Sequence, residues 1–346
     1  MMRDSVRLQA MPHTEGRATD HEPERDGENN AMTPDPLKSK LDFGVLKRLR
    51  ILCISETGWH DTATLLADIK AAGGKDVDQY DIPWPPMGNL NPQNAAGSSA
   101  LVEALTMDGV LHRFLFDVGW GLEWMDRRFA EEGVDQLLKR REIEFLVISH
   151  EHFDHFWGIG AAVRHQPEIP LYVPQGFHPQ GFELLRQVGH TGPVNIVRPD
   201  SPAVPFPGLA LINFPMETLG QVSGENVLYA RLPGKGFTMM TGCGHSGVLE
   251  LLDYARNALA GGEQIYAVYG GLHISPFGEW DEKHEAVVQA LGNYRIRRFG
   301  CNHCTGEKAV RRMIELGLPV ERGSARHGSK TDLYLGNGDT FELGIE

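Results

Sequence analysis

The sequence predicts an α/β fold in which two mixed sheets pack together with helices outside. Three observations lead there. From Leu49 onward, short β-rich runs alternate with amphipathic helical stretches, and both halves of the chain hold strand hairpins as well as strand-to-helix units. A chain of 346 residues with 41% hydrophobic content also suffices for a sizeable core.

In chain order, β-rich runs place strands at Arg50–Ser55, Ser99–Thr106, His112–Val118, Glu144–Ser149, Ile169–Val173, Leu209–Phe214, Asn226–Leu232, Phe237–Thr241, Gln264–Val268 and Arg297–Gly300. Amphipathic spacing places helices at Leu122–Glu132, Phe177–Val188, Gly247–Ala260, Glu282–Asn293 and Gly306–Leu316. The C-terminus reads as a hairpin of Asp332–Leu335 with Thr340–Leu343, because Gly336-Asn-Gly-Asp339 supplies glycine where a tight turn needs positive φ. Pro83, Pro85, Pro86 and Pro92 make Tyr80–Ser98 one long irregular loop, a feature that in compact domains is often functional. Residues 1–40 lack apolar periodicity and are rich in Pro, Glu, Asp, Arg and Asn, so a disordered tail is expected there.

The formal net charge is −13. The tail holds six Lys/Arg and eight Asp/Glu, which leaves −11 on the remainder. Such acidity argues against an extended nucleic-acid or anionic-membrane surface, so a small-molecule partner is expected. Neither a run of about 18 apolar residues nor a secretory-type apolar segment occurs, which makes a cytoplasmic location the expectation. Four cysteines are too sparse for a disulfide framework.

Fifteen histidines are the unusual component, because several are clustered. In Phe145-Leu-Val-Ile-Ser-His-Glu-His-Phe-Asp-His-Phe-Trp-Gly158 an apolar strand runs into a loop bearing His150, His152, Asp154 and His155. Three imidazoles and a carboxylate within six residues, where a buried strand ends, suit a borderline transition metal such as Zn²⁺. Alternation along the emerging strand puts His150 and His152 on one side. Cys243 and His245, His273, and Cys301, His303 and Cys304 each also follow a β-like run, at strand ends where α/β sites assemble. Cys301 and Cys304 have the spacing of a redox dithiol, but His303 between them fits a metal site better, and no second such pair exists for a four-cysteine site.

The His-x-His-x-Asp-His segment after an apolar strand resembles the signature of the metallo-β-lactamase superfamily of metallohydrolases. Asn94–Glu103, Leu115–Gly119, Thr241–Gly247, Gly270–His273 and His303–Gly306 are further similar to the branch that contains 7,8-dihydropterin-6-methyl-4-(β-D-ribofuranosyl)aminobenzene-5′-phosphate synthase and its bacterial relatives. The resemblance covers roughly Leu49 to the C-terminus. It implies an αββα sandwich, one domain over residues 41–346, with metals in a cleft at one edge. It also implies two divalent ions, Zn²⁺ foremost and Mn²⁺ or Fe²⁺ as alternatives. His150 and His152 would hold the first, Asp154 and His155 the second, and His303 would complete the second. His245 is the expected third ligand of the first ion, and Cys243 stands where many members carry a bridging aspartate or a ligating cysteine. Asp117 matches an aspartate expected to orient these ligands. For His273, ligand, ligand support and substrate contact all stay open. The family motif continues with two glycines, whereas Phe156-Trp-Gly158 puts Trp157 in that place, as bulk that narrows the cleft or as a flat face for an aromatic substrate.

The chemistry that follows is metal-dependent hydrolysis, since two close divalent ions acidify a bridging water and polarise the oxygen under attack. The expected substrate is a small anionic or aromatic metabolite, a phosphoester, lactone or amide, with Asp154 and His245 at the reacting centre. A synthase-like transferase that releases pyrophosphate is the alternative. Either would use cations, and Arg322, Arg326, His327 and Lys330 are candidates, with Arg326 put forward as a substrate contact. A diiron redox protein on this fold would carry Glu in place of His152, and a non-catalytic relative would have lost ligands that are all present.

Overall fold

Along the strands, alternate side chains enter two different apolar layers, and that alternation assembles the molecule. The computed structural model describes residues 39–74, 76–81 and 94–344. The tail expected over 1–40 lies outside them as far as residue 38, as does the 82–93 part of the expected loop. The elements run β1 (Leu46–Ser55), α1 (Thr62–Ala72), β2 (Ser99–Thr106), β3 (Leu111–Phe116), α2 (Leu122–Glu131), α3 (Val134–Lys139), β4 (Phe145–Val147), α4 (Phe153–Phe156), α5 (Gly160–Val163), β5 (Leu171–Pro174) and α6 (Pro179–Gln187). They continue with β6 (Val194–Val197), β7 (Ala203–Phe206), β8 (Leu209–Thr218), β9 (Val222–Leu232), β10 (Gly236–Thr241), α7 (Val248–Ala258), β11 (Ile265–Gly271), α8 (Glu282–Leu291), β12 (Arg298–Asn302), α9 (Glu307–Glu315) and β13 (Thr340–Gly344).

Two sheets result, with strand orders β13-β1-β2-β3-β4-β5-β6 and β12-β11-β10-β9-β8-β7. In each, the antiparallel hairpin strands adjoin parallel strands reached through helices, such as β3 with β4 and β10 with β11. Leu49, Ile51 and Cys53 of β1 point between the sheets and meet, across the layer, the set to which Leu211 and Leu228 belong. Leu52 and Ile54, one residue out of step, join the opposite layer with Leu65 of α1, Phe129 of α2 and Leu184 of α6. Val227 and Tyr229 of β9 likewise face Leu252 of α7, Val288 of α8 and Met313 of α9. Two sheets inside and helices on both outer faces make the expected αββα sandwich.

The end of β1 is held against α2. Arg128, fully buried, donates Nε–H to the Ile54 carbonyl at 2.9 Å and pairs with Glu131 and Glu132, while Trp124 Nε1 donates to Ser55 Oγ at 2.9 Å. This fixes the stretch Glu56–Gly58, which enters the site.

The expected C-terminal hairpin does not form. Asp332–Leu335 is not a strand; β13 instead adds to the edge of β1, and Cys53 N–H donates to Asp339 O at 2.9 Å. The Asp339 carboxylate accepts from the N–H of both Gly336 and Ser324, at 2.9 Å each, so the turn closes on a loop rather than on a partner strand. The expectations also omitted α1, α3, α4, α5, β6 and β7, and stopped β8 and β9 short. Among the described residues no helix is long and apolar enough to cross a membrane.

Candidate metal centre

The site lies where β1, β3, β4, β10, β11 and β12 end. β4 stops at Val147, so His150 and His152 leave it on an irregular segment rather than on the extended strand expected, and Asp154 and His155 begin the short α4. Asp117, His273 and His303 hold positive φ of 61°, 44° and 48°. Such backbone in non-glycine residues is uncommon and gathers at functional sites.

Each of five imidazoles has one ring nitrogen tied to the protein. His152 Nε2 donates to the Leu219 carbonyl at 2.7 Å and His303 Nδ1 to the Glu56 carbonyl at 2.8 Å. His155 Nδ1 donates to Asp117 Oδ2 at 2.8 Å, and His245 Nδ1 to Glu225 Oε2 at 3.2 Å. Ser149 Oγ donates to Asp117 Oδ2 at 2.7 Å and therefore accepts from His150 Nδ1 at 2.9 Å. Because a carbonyl or carboxylate can only accept, the other nitrogen of each ring keeps its lone pair whenever the ring is neutral.

Those free nitrogens converge. His150 Nε2 lies 3.0 Å from His152 Nδ1, and His155 Nε2 lies 3.1 Å from His303 Nε2. Asp154 reaches the second pair, with Oδ2 at 3.4 Å from His303 Nε2 and Oδ1 at 3.9 Å from His155 Nε2. His245 Nε2 is buried with no hydrogen-bond partner, and its ring stands 4.7 Å from that of His150 and 5.0 Å from that of His152. Cys243 Sγ is 3.3 Å from His155 Nε2, and it lies within ligand reach both of His150 with His245 and of His155 with His303. A third group, Cys243, His273 and Cys304, adjoins these.

Lone pairs facing each other at about 3 Å repel unless a proton or a cation stands between them. Burial, with the neighbouring imidazoles, holds His150 well below its ordinary value, and burial takes His152 down to about 3. Burial opposes charge on His155 too, but Asp154 and Asp117 lift it to about 9. His150 and His152 are thus neutral imidazoles, the form that binds metal, and positive charge is favoured at His155. Orphaned Nε2 of His245, convergent donors and a thiol between the two groups fit divalent cations.

Sequence reasoning placed His150, His152, Asp154, His155, His245, His303 and Cys243 as ligands, and the structure brings all seven together. It also brings Asp117 against His155 and Ser149. Two expected substrate contacts lie outside this cluster. Trp157 is 1% exposed and packs in the helix-side core near Tyr80 and Phe153, because α4 turns it away from the cluster. Arg326 is exposed on the 321–330 loop and bonds the Gly338 carbonyl, away from the cleft that borders His303. His273 is exposed, 4.5 Å ring to ring from His245.

Glu225 was missed. It is 1% exposed and its carboxylate receives the backbone N–H groups of Cys243, Gly244 and His245 at 2.9, 2.7 and 2.7 Å, besides the His245 ring. The signal available was an acid inside the apolar β9 run. Gly58 was also missed: a Cβ there would stand 2.7 Å from both Asp154 Oδ2 and His303 Cε1.

Residues 96–237 match the sequence profile of the metallo-β-lactamase superfamily. No curated protein matches the chain. Among solved structures, a metal-dependent hydrolase of the β-lactamase superfamily is similar at 17% identity and TM-score 0.54, over 86% of this chain and all of that one. A diphosphatase from the PhnP family is similar at 12% identity and TM-score 0.41, over 86% and 98%. A metallo-β-lactamase from Pontibacter korlensis is similar at 18% identity and TM-score 0.31, over 64% and 86%. At such identities the first likeness speaks for the fold alone, and it agrees with the sandwich described above. The superfamily's profile is thus matched on the segment that carries the histidine cluster, within a fold similar to that of the first of these structures.

Proposed function

We propose that this protein is a metal-dependent hydrolase with a dinuclear centre acting on a small molecule. One observation supports the reading above the others: five imidazoles are each pinned at one nitrogen, and the second nitrogens face inward beside Asp154 and Cys243. His150, His152 and His245 would hold one ion; Asp154, His155 and His303 would hold the other; Cys243 stands next to both sets. Nitrogen, oxygen and sulfur donors together suit Zn²⁺. Bound there, divalent ions supply Lewis acidity that acidifies water and polarises a substrate oxygen. The chain's own part is orientation. Asp117 fixes His155 directly and His150 through Ser149, and Glu225 fixes His245 together with the turn that carries it.

Elemental analysis of the reconstituted protein tests this, with close to two ions per chain expected. Asp154→Ala is expected to keep one ion and lose most turnover on a phosphodiester, lactone and β-lactam panel. At most one ion in the unaltered protein, or full turnover by Asp154→Ala, rejects the dinuclear reading.

A further inference from the structure

A cleft of about 440 Å³ opens beside His303, lined on one wall by Trp59 and Phe277 and on the others by Lys308, Arg311, Lys330 and Tyr334. Its size falls in the range of small-ligand sites. Gly58 forms its threshold to the cluster, for the space a Cβ would fill there is bounded by Asp154 Oδ2 and His303 Cε1. A ligand in the cleft therefore meets His303 directly, with no side chain on residue 58 between it and Asp154.

The walls differ in chemistry. Trp59 and Phe277 stack on each other, 5.7 Å between centroids and 28° between planes, and Phe277 is 40% exposed, so an aromatic surface is presented to the cleft. Arg311 is paired with Glu307 at 3.2 Å, and Lys308 Nζ reaches the Gly278 carbonyl at 3.4 Å. Lys330 makes no hydrogen bond or ion pair within 4.0 Å among the described residues. Three cations against Glu56 and Glu307 give this cleft a positive excess, on a chain whose net charge is −13. A local excess of that kind draws anions that the molecule as a whole repels.

We infer that this cleft is the substrate-selecting site and takes a planar organic anion, its ring against Trp59 and Phe277 and its phosphate or carboxylate on Lys330. The inference rests on the hydrolase reading for what happens to that ligand, but not for its binding. Ring-face contact and an unpaired cation act on different parts of the ligand. Each should therefore be removable separately.

Calorimetric titration with three non-hydrolysable probes separates the contributions: phenylphosphonate, methylphosphonate and benzyl alcohol, each against zinc-loaded and chelator-stripped full-length protein. Phenylphosphonate is expected to bind at least about 10-fold more tightly than either fragment, since each contact is worth on the order of 1 kcal/mol or more. Lys330→Ala should weaken phenylphosphonate by about 10-fold and Lys330→Arg should restore it, while Phe277→Ala should weaken phenylphosphonate by several-fold and leave methylphosphonate unchanged. Zinc content should stay at the unaltered level in all three variants. Equal affinity for phenylphosphonate and methylphosphonate, or no response to Lys330→Ala, overturns the inference. If zinc fails to bind while the probe pattern appears in stripped protein, the cleft assignment stands and the hydrolase reading falls.

Discussion

Glu225→Gln tests whether one buried carboxylate sets the tautomer of His245. Its oxygens serve four donors, with Oε1 accepting from Cys243 N–H and Gly244 N–H and Oε2 accepting from the backbone N–H and Nδ1–H of His245. Burial alone would push this carboxyl up, yet the His245 ring and the backbone donors hold it down to about 2. Glutamine has one acceptor oxygen, so its amide end must confront two donors. If it confronts Cys243 and Gly244, two buried N–H groups lose acceptors, at about 1–3 kcal/mol each. If it confronts His245, only one backbone N–H is orphaned, because the imidazole can change tautomer and accept through Nδ1. That arrangement is cheaper by about 1–3 kcal/mol and is the expected one. Its consequence is chemical: Nε2 then carries the proton and offers no lone pair to a cation. We expect a stability loss of about 1–3 kcal/mol and a fall in metal affinity of about 10- to 100-fold, read by competition with a chromophoric chelator on protein of unaltered far-UV circular dichroism. Unchanged affinity in a folded Glu225→Gln protein would refute the reasoning.

Three further outcomes are expected. Gly58→Ala places a methyl against Asp154 and His303 and should lower retention of one ion on dialysis, whereas two retained ions would show that the threshold can widen freely. Cys243→Ser should weaken metal binding by about 10-fold or more, while Cys53→Ser, within the inter-sheet layer, should change the melting temperature alone; equal metal affinity in both would return Cys243 to a packing role. Glu103 lies across from Arg50 on β1 and Arg113 on β3, and although burial raises its carboxyl, the hydrogen bonds from Arg113 and Arg50 leave it depressed. Its stabilisation, on the order of 1 kcal/mol, should be present above the unfolded-state pKa of about 4.3 and be lost as pH falls through the lower folded value. Urea titrations of Glu103→Gln should therefore differ from the unaltered protein at pH 7 and converge in acid; a constant difference would mean that packing, not charge, is responsible.

How much of this was legible depended on whether the information was local. Candidate donors inside one short run, His150 to His155, advertised themselves by type and spacing, and the later donors did so by following apolar strands. The strand assignments survived for the same reason, since burial on both faces leaves an apolar run that needs no partner to be seen. The C-terminal hairpin failed because a turn motif predicts reversal but not which strand will receive the chain, and the open edge of β1 received it. Trp157 failed differently. Its position next to Asp154 and His155 in sequence carried no information on direction, and one turn of α4 with the following 3₁₀ turn sends it into the core. Aromatic residues that do border the donors, Trp59 and Phe277, come from segments more than 200 positions apart.

The groups that hold the imidazoles were the least legible, and they decide which nitrogen each ring presents. Two of the five imidazoles are anchored by carbonyl oxygens, Leu219 and Glu56, whose side-chain identities are irrelevant to the bond. His152 is pinned at Nε2 while the other four are pinned at Nδ1, so the set presents Nδ1 once and Nε2 four times. A motif states that a histidine is present; it does not say which nitrogen is free. That choice is made by acceptors just after β3 and β4, on β9, in the turn after β8 and in the segment after β1, brought together only when both sheets have packed. On the proposed reading, metal affinity is therefore coupled to the integrity of the sandwich. Substitutions such as Glu225→Gln, which touch no cation, are expected to act on it through the proton they relocate.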